Sequence, residues 1–175
     1  MKNLTALLLI CALTTAAFAE ESAPKKMPPA SGDAKAATTI SLANAKLTAP
    51  MKLKDGILSQ PERTELADGG KAVFDFTVPK DGDYVIHATV KAPDDDTNSF
   101  YVTIDAKPED PLTIWDIELT NEFADQVVSW RGNGEAGSNE FTPKVFKLKA
   151  GAHQLILTGR EPAQLKSISV QPAGK

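Results

Sequence analysis

Apolar and polar residues alternate along most of the chain after residue 38. In the stretch KAVFDFTV, the side chains of Ala72, Phe74, Phe76 and Val78 fall on one face. The same period of two recurs in DYVIHATV, SFYVTI, HQLILTG and KSISV. A period of two with one apolar face is typical of half-buried antiparallel strands. The pattern therefore predicts an all-β chain of about eight or nine short strands.

Turn-forming residues separate the alternating segments. The sequences PKDGD (79–83) and KAG (149–151) have the composition of tight turns, and we expect each to close a hairpin. No segment shows a sustained helical period with caps, and the sequence has no internal repeat. These features predict a two-sheet antiparallel β-sandwich of the jelly-roll type.

The first nineteen residues, MKNLTALLLICALTTAAFA, differ from the rest. Lys2 precedes an apolar run, and Ala17-Phe18-Ala19 has the small-x-small pattern of a cleavage site, so 1–19 reads as a signal peptide cut before Glu20. A lipid-modified Cys11 is less consistent, because Ile10 before it is not small. The run is too short to span a membrane. We expect a soluble exported product, periplasmic or extracellular.

Residues 20–37 are rich in Ala, Pro, Lys and Ser, and this composition predicts a flexible tether before one domain at 38–175. Cleavage removes Cys11, the only cysteine, so disulfides, thiolate metal sites and a cysteine nucleophile are excluded. The formal charge changes from −4 to −5 (18 basic, 23 acidic), because only Lys2 is lost. A mildly acidic chain gives no support for binding nucleic acid or anionic membranes.

Few motifs indicate catalysis or a cofactor. The segment 132–137 matches G-x-G-x-x-G, but Pro143 and a new strand follow it rather than the helix a dinucleotide site needs. The acidic run Asp94-Asp95-Asp96 lacks the glycine of a calcium loop, and a solvated turn is the preferred reading. No nucleophile elbow, zinc pattern or phosphate loop appears, and nothing selects a carboxylate pair for glycosidic cleavage. We predict a protein that is not an enzyme, with no cofactor and no metal.

The two histidines and two tryptophans are the remaining candidates. His153 shares its face with Leu155 and Leu157, so we expect a hydrogen-bonded core residue at a strand start, whereas His87 points outward. Trp115 is expected in the core. Trp130 lies beside Arg131 and a glycine-rich loop, where it caps the core or offers a stacking surface for a sugar ring.

Several stretches resemble carbohydrate-binding modules with the galactose-binding-like jelly roll, including families six and thirty-five and related domains at the C-termini of glycoside hydrolases. FTVPKDGDYVIHATVKAP is similar to their f-x-v-P-x-x-G-x-Y-x-l-W-x-R-V-x-A-P, and TNSFYVTIDA to d-S-f-x-V-x-v-D-G. LKAGAHQLILTGREPAQLKSISV is similar to L-x-a-G-x-H-x-l-x-i-x-x-R-E-x-g-x-x-L-D-x-I-x-l. The series runs from about Ile40 to Val170 and implies the same fold, but fold alone does not give function.

Departures from this pattern affect the expected sites. Ser41, Ala43 and Lys166 stand where the family has carboxylates that commonly bind a structural calcium, so the resemblance implies that this metal site is absent and that Lys166 occupies its space. The family's outward Trp and Arg are His87 and Thr89 here, and its Asp-Gly turn has become Asp105-Ala106. A sugar site on that strand is therefore expected to be changed or lost.

The corner Gly159-Arg160-Glu161-Pro162 fills the family's last inter-strand loop, at the end where ligand loops gather. Arg160 either donates paired hydrogen bonds to a sugar or pairs with Glu161 or with the acids at 94–96, and the structural pairing is preferred.

These observations predict an exported, non-catalytic module that binds a glycan or polysaccharide through Trp130, Arg131, Asn133 and Arg160. The alternative is a protein-interaction or assembly domain of the cell envelope on the same fold, which presents an outward sheet face to a protein partner.

Overall fold

The computed structural model describes residues 37–109, 113–129 and 141–174. These residues form twelve strands and one 3-10 helix, Leu42–Asn44. The strands are β1 (Thr38–Ile40), β2 (Lys46–Thr48), β3 (Lys52–Lys54), β4 (Ile57–Ser59), β5 (Lys71–Val78), β6 (Gly82–Ala92), β7 (Ser99–Ile104), β8 (Ile114–Asp116), β9 (Thr120–Val127), β10 (Phe146–Leu148), β11 (Gly151–Gly159) and β12 (Gln164–Pro172).

The strands form two antiparallel sheets within the described residues. Sheet A contains β1, β3, β4, β6, β9, β10 and β12, and sheet B has the order β2-β5-β11-β7-β8. In sheet A, β6 pairs with β12 on one side and with β9 and β10 on the other. The predicted all-β jelly-roll sandwich is confirmed.

The alternating segments bury the faces that the sequence predicts. Phe74 on β5 and Ile86 on β6 are at most 1% exposed, and Leu157 on β11 is fully buried. Burying a side chain of this size stabilises the fold by about 1.5–3 kcal/mol. Trp115 is also fully buried and packs against Phe100 with ring centroids 6.2 Å apart, so its predicted place in the core is confirmed.

The two predicted hairpins are wrong, because each turn joins strands of different sheets. Residues 79–81 connect β5 of sheet B to β6 of sheet A, and residues 149–150 connect β10 of sheet A to β11 of sheet B. The two crossings lie side by side, since the Asp81 carboxylate accepts hydrogen bonds from Lys149 Nζ and from the Ala150 amide, both at 2.8 Å. A period of two in the sequence identifies which face of a strand is buried, but it does not identify the strand that lies next to it.

Close backbone packing is required where the chain enters β5. A Cβ atom on Gly70 would lie 2.0 Å from the backbone nitrogen of Met51. No side chain fits at that separation, so glycine is needed for the segment before β5 to pass over the start of β3. This contact positions the 60–70 connection against the end of the sandwich that carries the 159–162 corner.

Candidate functional site

The 159–162 corner connects β11 of sheet B to β12 of sheet A and is held by its neighbours. The Arg160 carbonyl accepts a hydrogen bond from the Thr64 amide at 2.8 Å, and the Gly159 amide donates to the Gly70 carbonyl at 2.8 Å. A Cβ atom on Gly159 would lie 1.7 Å from Oε1 of Gln60. The corner is therefore packed under the 60–70 connection rather than projecting freely into solvent.

Glu161 is the centre of a polar cluster beneath this corner, although its side chain is only 1% exposed. Its carboxylate accepts hydrogen bonds from Ser99 Oγ at 2.5 Å and from the Asn98 amide at 3.2 Å. A buried carboxylate is stable only when it is paired and hydrogen-bonded, and this one has donors on both oxygens. We call Arg63, Asn98, Ser99, Arg160 and Glu161 the corner cluster.

The guanidinium groups of Arg160 and Arg63 supply the counter-charge. Arg160 Nη1 donates to Glu161 Oε1 at 2.5 Å and to Ser99 Oγ at 2.7 Å, and the Arg160 side chain is 12% exposed. Arg63 Nη1 lies 3.3 Å from the same carboxylate oxygen, and the Arg63 side chain is 54% exposed. The preferred pairing of Arg160 with Glu161 is confirmed, and it ties the corner to the start of β7.

Sequence reasoning missed most of this cluster. Ser99 begins β7, where the alternation predicts only a strand. Arg63 lies in a polar connection that shows no hydrophobic periodicity. Because both meet Glu161 only through the crossing of two sheets, no local signal in the sequence joins them. The contact between Arg160 and Glu161 could be predicted from the sequence, because the two residues are adjacent in the chain.

Trp130, Arg131 and Asn133 lie outside the described residues, so their predicted contact with a ligand stays a prediction. The described residues on either side of the 130–140 segment are joined by a bridge between Ser129 and Pro143. The Val128 amide donates to the Ile86 carbonyl at 2.8 Å, whereas Gln164, just after the corner, is the partner of Lys91. Ile86 and Lys91 are five residues apart on β6, which is about 17 Å along a strand. Val128, near the start of the 130–140 segment, is therefore distant from Gln164 at the corner.

The outer face of sheet A carries short polar contacts. His87 Nδ1 lies 3.2 Å from Asp125 Oδ2, and Thr89 Oγ1 lies 2.7 Å from Ser167 Oγ. His87 points outward as predicted, with 26% of its side chain exposed.

The expectation that Lys166 fills the space of a lost calcium stays a prediction. Lys166 is exposed, and its Nζ lies 5.4 Å from the ring centroid of Phe123. Lys166 lies at an irregularity of β12, where the register with β6 shifts between Leu165 and Ser167, and both Lys166 and Ser167 are exposed.

His153, which has 11% of its side chain exposed, makes two hydrogen bonds at the start of β11. Nδ1 lies 2.5 Å from Asp105 Oδ2, and Nε2 lies 2.7 Å from the Lys149 carbonyl oxygen. Both partners accept hydrogen bonds, so both ring nitrogens donate and the imidazolium form is favoured. The hydrogen bond to Asp105, with a smaller contribution from the Lys149 carbonyl, raises the pKa of His153 above 6.5. The predicted hydrogen bonding of His153 at the strand start is confirmed, but its predicted place in the core is not, because the residue is only partly buried.

The acidic run at 94–96 forms a solvated turn, as predicted. Asp94 Oδ1 accepts hydrogen bonds from the Asp96 amide at 3.1 Å and from Thr97 Oγ1 at 2.9 Å, and all three aspartates are exposed. Within residues 37–109, 113–129 and 141–174, no group of three or more His, Cys, Asp or Glu side chains is arranged to hold a metal ion.

No family model matches the sequence, and no curated protein gives a significant match. Solved structures do match the fold. One is a family 35 carbohydrate-binding module from Clostridium thermocellum, with a TM-score of 0.55 and 10% identity over 79% of this chain and 99% of the module.

Two further structures are similar. The C-terminal family 6 module of LamC, a laminarinase from Zobellia galactanivorans, gives a TM-score of 0.53 and 13% identity over 78% of this chain and 99% of the module. The mannan-binding module of Man5C gives a TM-score of 0.51 and 16% identity over 78% of this chain and 98% of the module. The chain therefore has a jelly-roll fold like that of carbohydrate-binding modules. Its described part contains no helix long and apolar enough to cross a membrane.

Proposed function

We propose that this chain is an exported, non-catalytic module that binds a glycan or polysaccharide. The observation that carries the proposal is the extent of the structural similarity, which includes 99% of a solved family 35 carbohydrate-binding module. The likeness therefore concerns a whole binding module. Because identity is only 10%, the ligand has to be argued from this chain's own residues.

The ligand-binding residues of the proposal are Trp130, Arg131 and Asn133, in the segment bounded by Ser129 and Pro143. An indole face packs against the C–H face of a sugar ring, and guanidinium and amide groups hydrogen-bond its hydroxyls. Binding would be reversible, with no bond broken. Export rests on the pattern in residues 1–19, and it places the module in the periplasm or outside the cell.

Arg160 has a supporting role in this proposal. Its guanidinium is largely buried and donates to both Glu161 and Ser99, so a sugar would have to compete with two charge-assisted contacts. Arg63 is the more exposed guanidinium of the corner cluster. We therefore propose that Arg160 stabilises the corner and that residues 130–133 make most of the direct contacts with the glycan.

Retention on insoluble polysaccharides tests the proposal, with melting measured in parallel. Trp130→Ala should abolish retention while the protein still melts cooperatively near the wild-type temperature. Arg131→Gln should weaken retention without changing melting, whereas the matched Arg160→Gln variant should lower the melting temperature. Failure of the wild-type chain to bind any of a broad set of plant, fungal and bacterial polysaccharides would reject the proposal.

A second candidate is an assembly domain of the cell envelope that binds a protein. Phe141 and Val145, just after the 130–140 segment, have 49% and 44% of their surface exposed, and large exposed apolar side chains are common in interfaces. If Trp130→Ala leaves glycan retention unchanged while Phe141→Ser abolishes capture of an envelope protein, this candidate replaces the first.

A further inference from the structure

A pocket of about 360 Å³ lies on the outer face of sheet B. Lys71 on β5 and Thr158 on β11 are partners in the sheet, and each is the chain neighbour of a core residue, Ala72 or Leu157, so both lie on the opposite face of the sheet. The connections before β5 and after β7 complete the pocket. Its described lining residues are Leu66, Ala67, Lys71, Lys107, Pro108 and Thr158.

The chemistry of the lining combines apolar walls with two cations. Leu66, Ala67 and Pro108 present carbon, and neither aromatic nor acidic side chains occur among the described lining residues. Lys71 and Lys107 make no ion pair in the part of the chain that the structure describes. Without an aromatic face or an amide, this lining is poorly suited to a neutral sugar.

Thr158 adds an independent observation. Its residue surface is fully buried, and its Oγ1 atom has no hydrogen-bond partner among the residues that the structure describes. Buried hydroxyl groups are nearly always hydrogen-bonded, so one without a partner on the wall of a pocket requires an explanation. A polar atom of a bound ligand would provide the missing partner, because a hydroxyl both donates and accepts.

We propose that this sheet B pocket binds a small organic anion with an apolar body, such as an aromatic carboxylate. Its volume falls in the range of about 300–1,000 Å³ that is typical of small-molecule sites. The apolar walls would cover the ring, and the lysine ammonium groups would pair with the carboxylate at the rim. The proposal does not depend on glycan binding, because it uses none of the residues that are proposed to bind glycan.

Titrations followed by amide NMR test the proposal, with benzoate as the probe. Benzoate should produce saturable shifts centred on Lys71 and Thr158 at millimolar concentration. Acetate, which lacks the apolar body, and benzyl alcohol, which lacks the charge, should bind much more weakly. The absence of saturable shifts with benzoate, or equal shifts with all three compounds, would overturn the proposal.

Three pocket variants and one control variant assign the binding to the pocket. Lys71→Gln and Lys107→Gln should each weaken benzoate binding about threefold to tenfold. Lys52→Gln, at an exposed lysine of β3, should not change it. Thr158→Val should weaken benzoate binding without lowering the melting temperature, because it removes an unpartnered hydroxyl at nearly constant volume. Unchanged binding in both pocket lysine variants would contradict the site.

Discussion

Replacing Glu161 by alanine tests the structural role of the corner most severely. The substitution leaves the Arg160 guanidinium, which is 12% exposed, without its close counter-charge. It also removes the acceptor of Ser99 Oγ and of the Asn98 amide. Removing one partner of a buried ion pair costs about 3–5 kcal/mol, because the other charge stays buried without compensation.

This cost is large compared with the total stability of a domain, which is about 5–15 kcal/mol. A loss of 3–5 kcal/mol lowers the melting temperature by about 10–15 °C in a protein of this length. Calorimetry and urea unfolding of the Glu161→Ala variant should both report the loss. Glu161→Gln, which keeps the shape and one acceptor, should lie between this variant and the wild type.

A matched control distinguishes the effect of breaking a buried ion pair on the melting temperature from the effect of breaking an exposed one. Lys149 and Asp81 also form a short ion pair, at 2.8 Å, but their side chains are 87% and 59% exposed. Lys149→Met breaks this pair without removing the Asp81 contact to Ala150, and it should change the melting temperature by less than about 2 °C. If Glu161→Ala costs no more than Lys149→Met, the corner cluster does not hold the sandwich together.

Three other predictions follow from particular contacts. The hydrogen bond to Asp105 raises the pKa of His153, so the pair stabilises the fold fully below pH 6.5, and this contribution is lost as pH rises through the pKa of the folded state. His153→Gln should therefore flatten the fall in melting temperature between pH 6 and 8.5. An unchanged slope would contradict this assignment. Gly70→Ala, which would put Cβ 2.0 Å from the Met51 backbone nitrogen, should prevent stable folding, whereas a wild-type melt would show that the two segments separate easily. Melting curves with a chelator and with added calcium should coincide, and a clear rise with calcium would reveal a metal site.

The inward faces of the long strands were predictable because alternation reports burial directly. Ala72 to Val78 and Tyr84 to Val90 bury the predicted side chains. The short strands were harder: β1, β2, β3, β4 and β8 have three residues each, too few to show a period of two. This explains why twelve strands are found where eight or nine were expected.

Strand pairing and the corner cluster depend on contacts that are distant in the sequence. The 79–83 and 149–151 turns have hairpin composition, yet each crosses between sheets, because turn residues do not specify which strand becomes the neighbour. The burial of Glu161 likewise depends on Ser99 and Arg63, which lie more than sixty residues away. Trp130, Arg131 and Asn133 lie outside the described residues and stay predicted ligand contacts.

Glycan titration of a Trp115→Phe variant, followed by indole fluorescence, tests the central claim most directly. The chain has two tryptophans, and Trp115 is fully buried, so this variant leaves Trp130 as the only indole. If Trp130 stacks on a sugar ring, a polysaccharide that the protein retains should change the emission saturably, at the concentration that gives half-maximal retention. A retained glycan that leaves the Trp130 emission unchanged, or a panel in which no glycan is retained, would contradict the account.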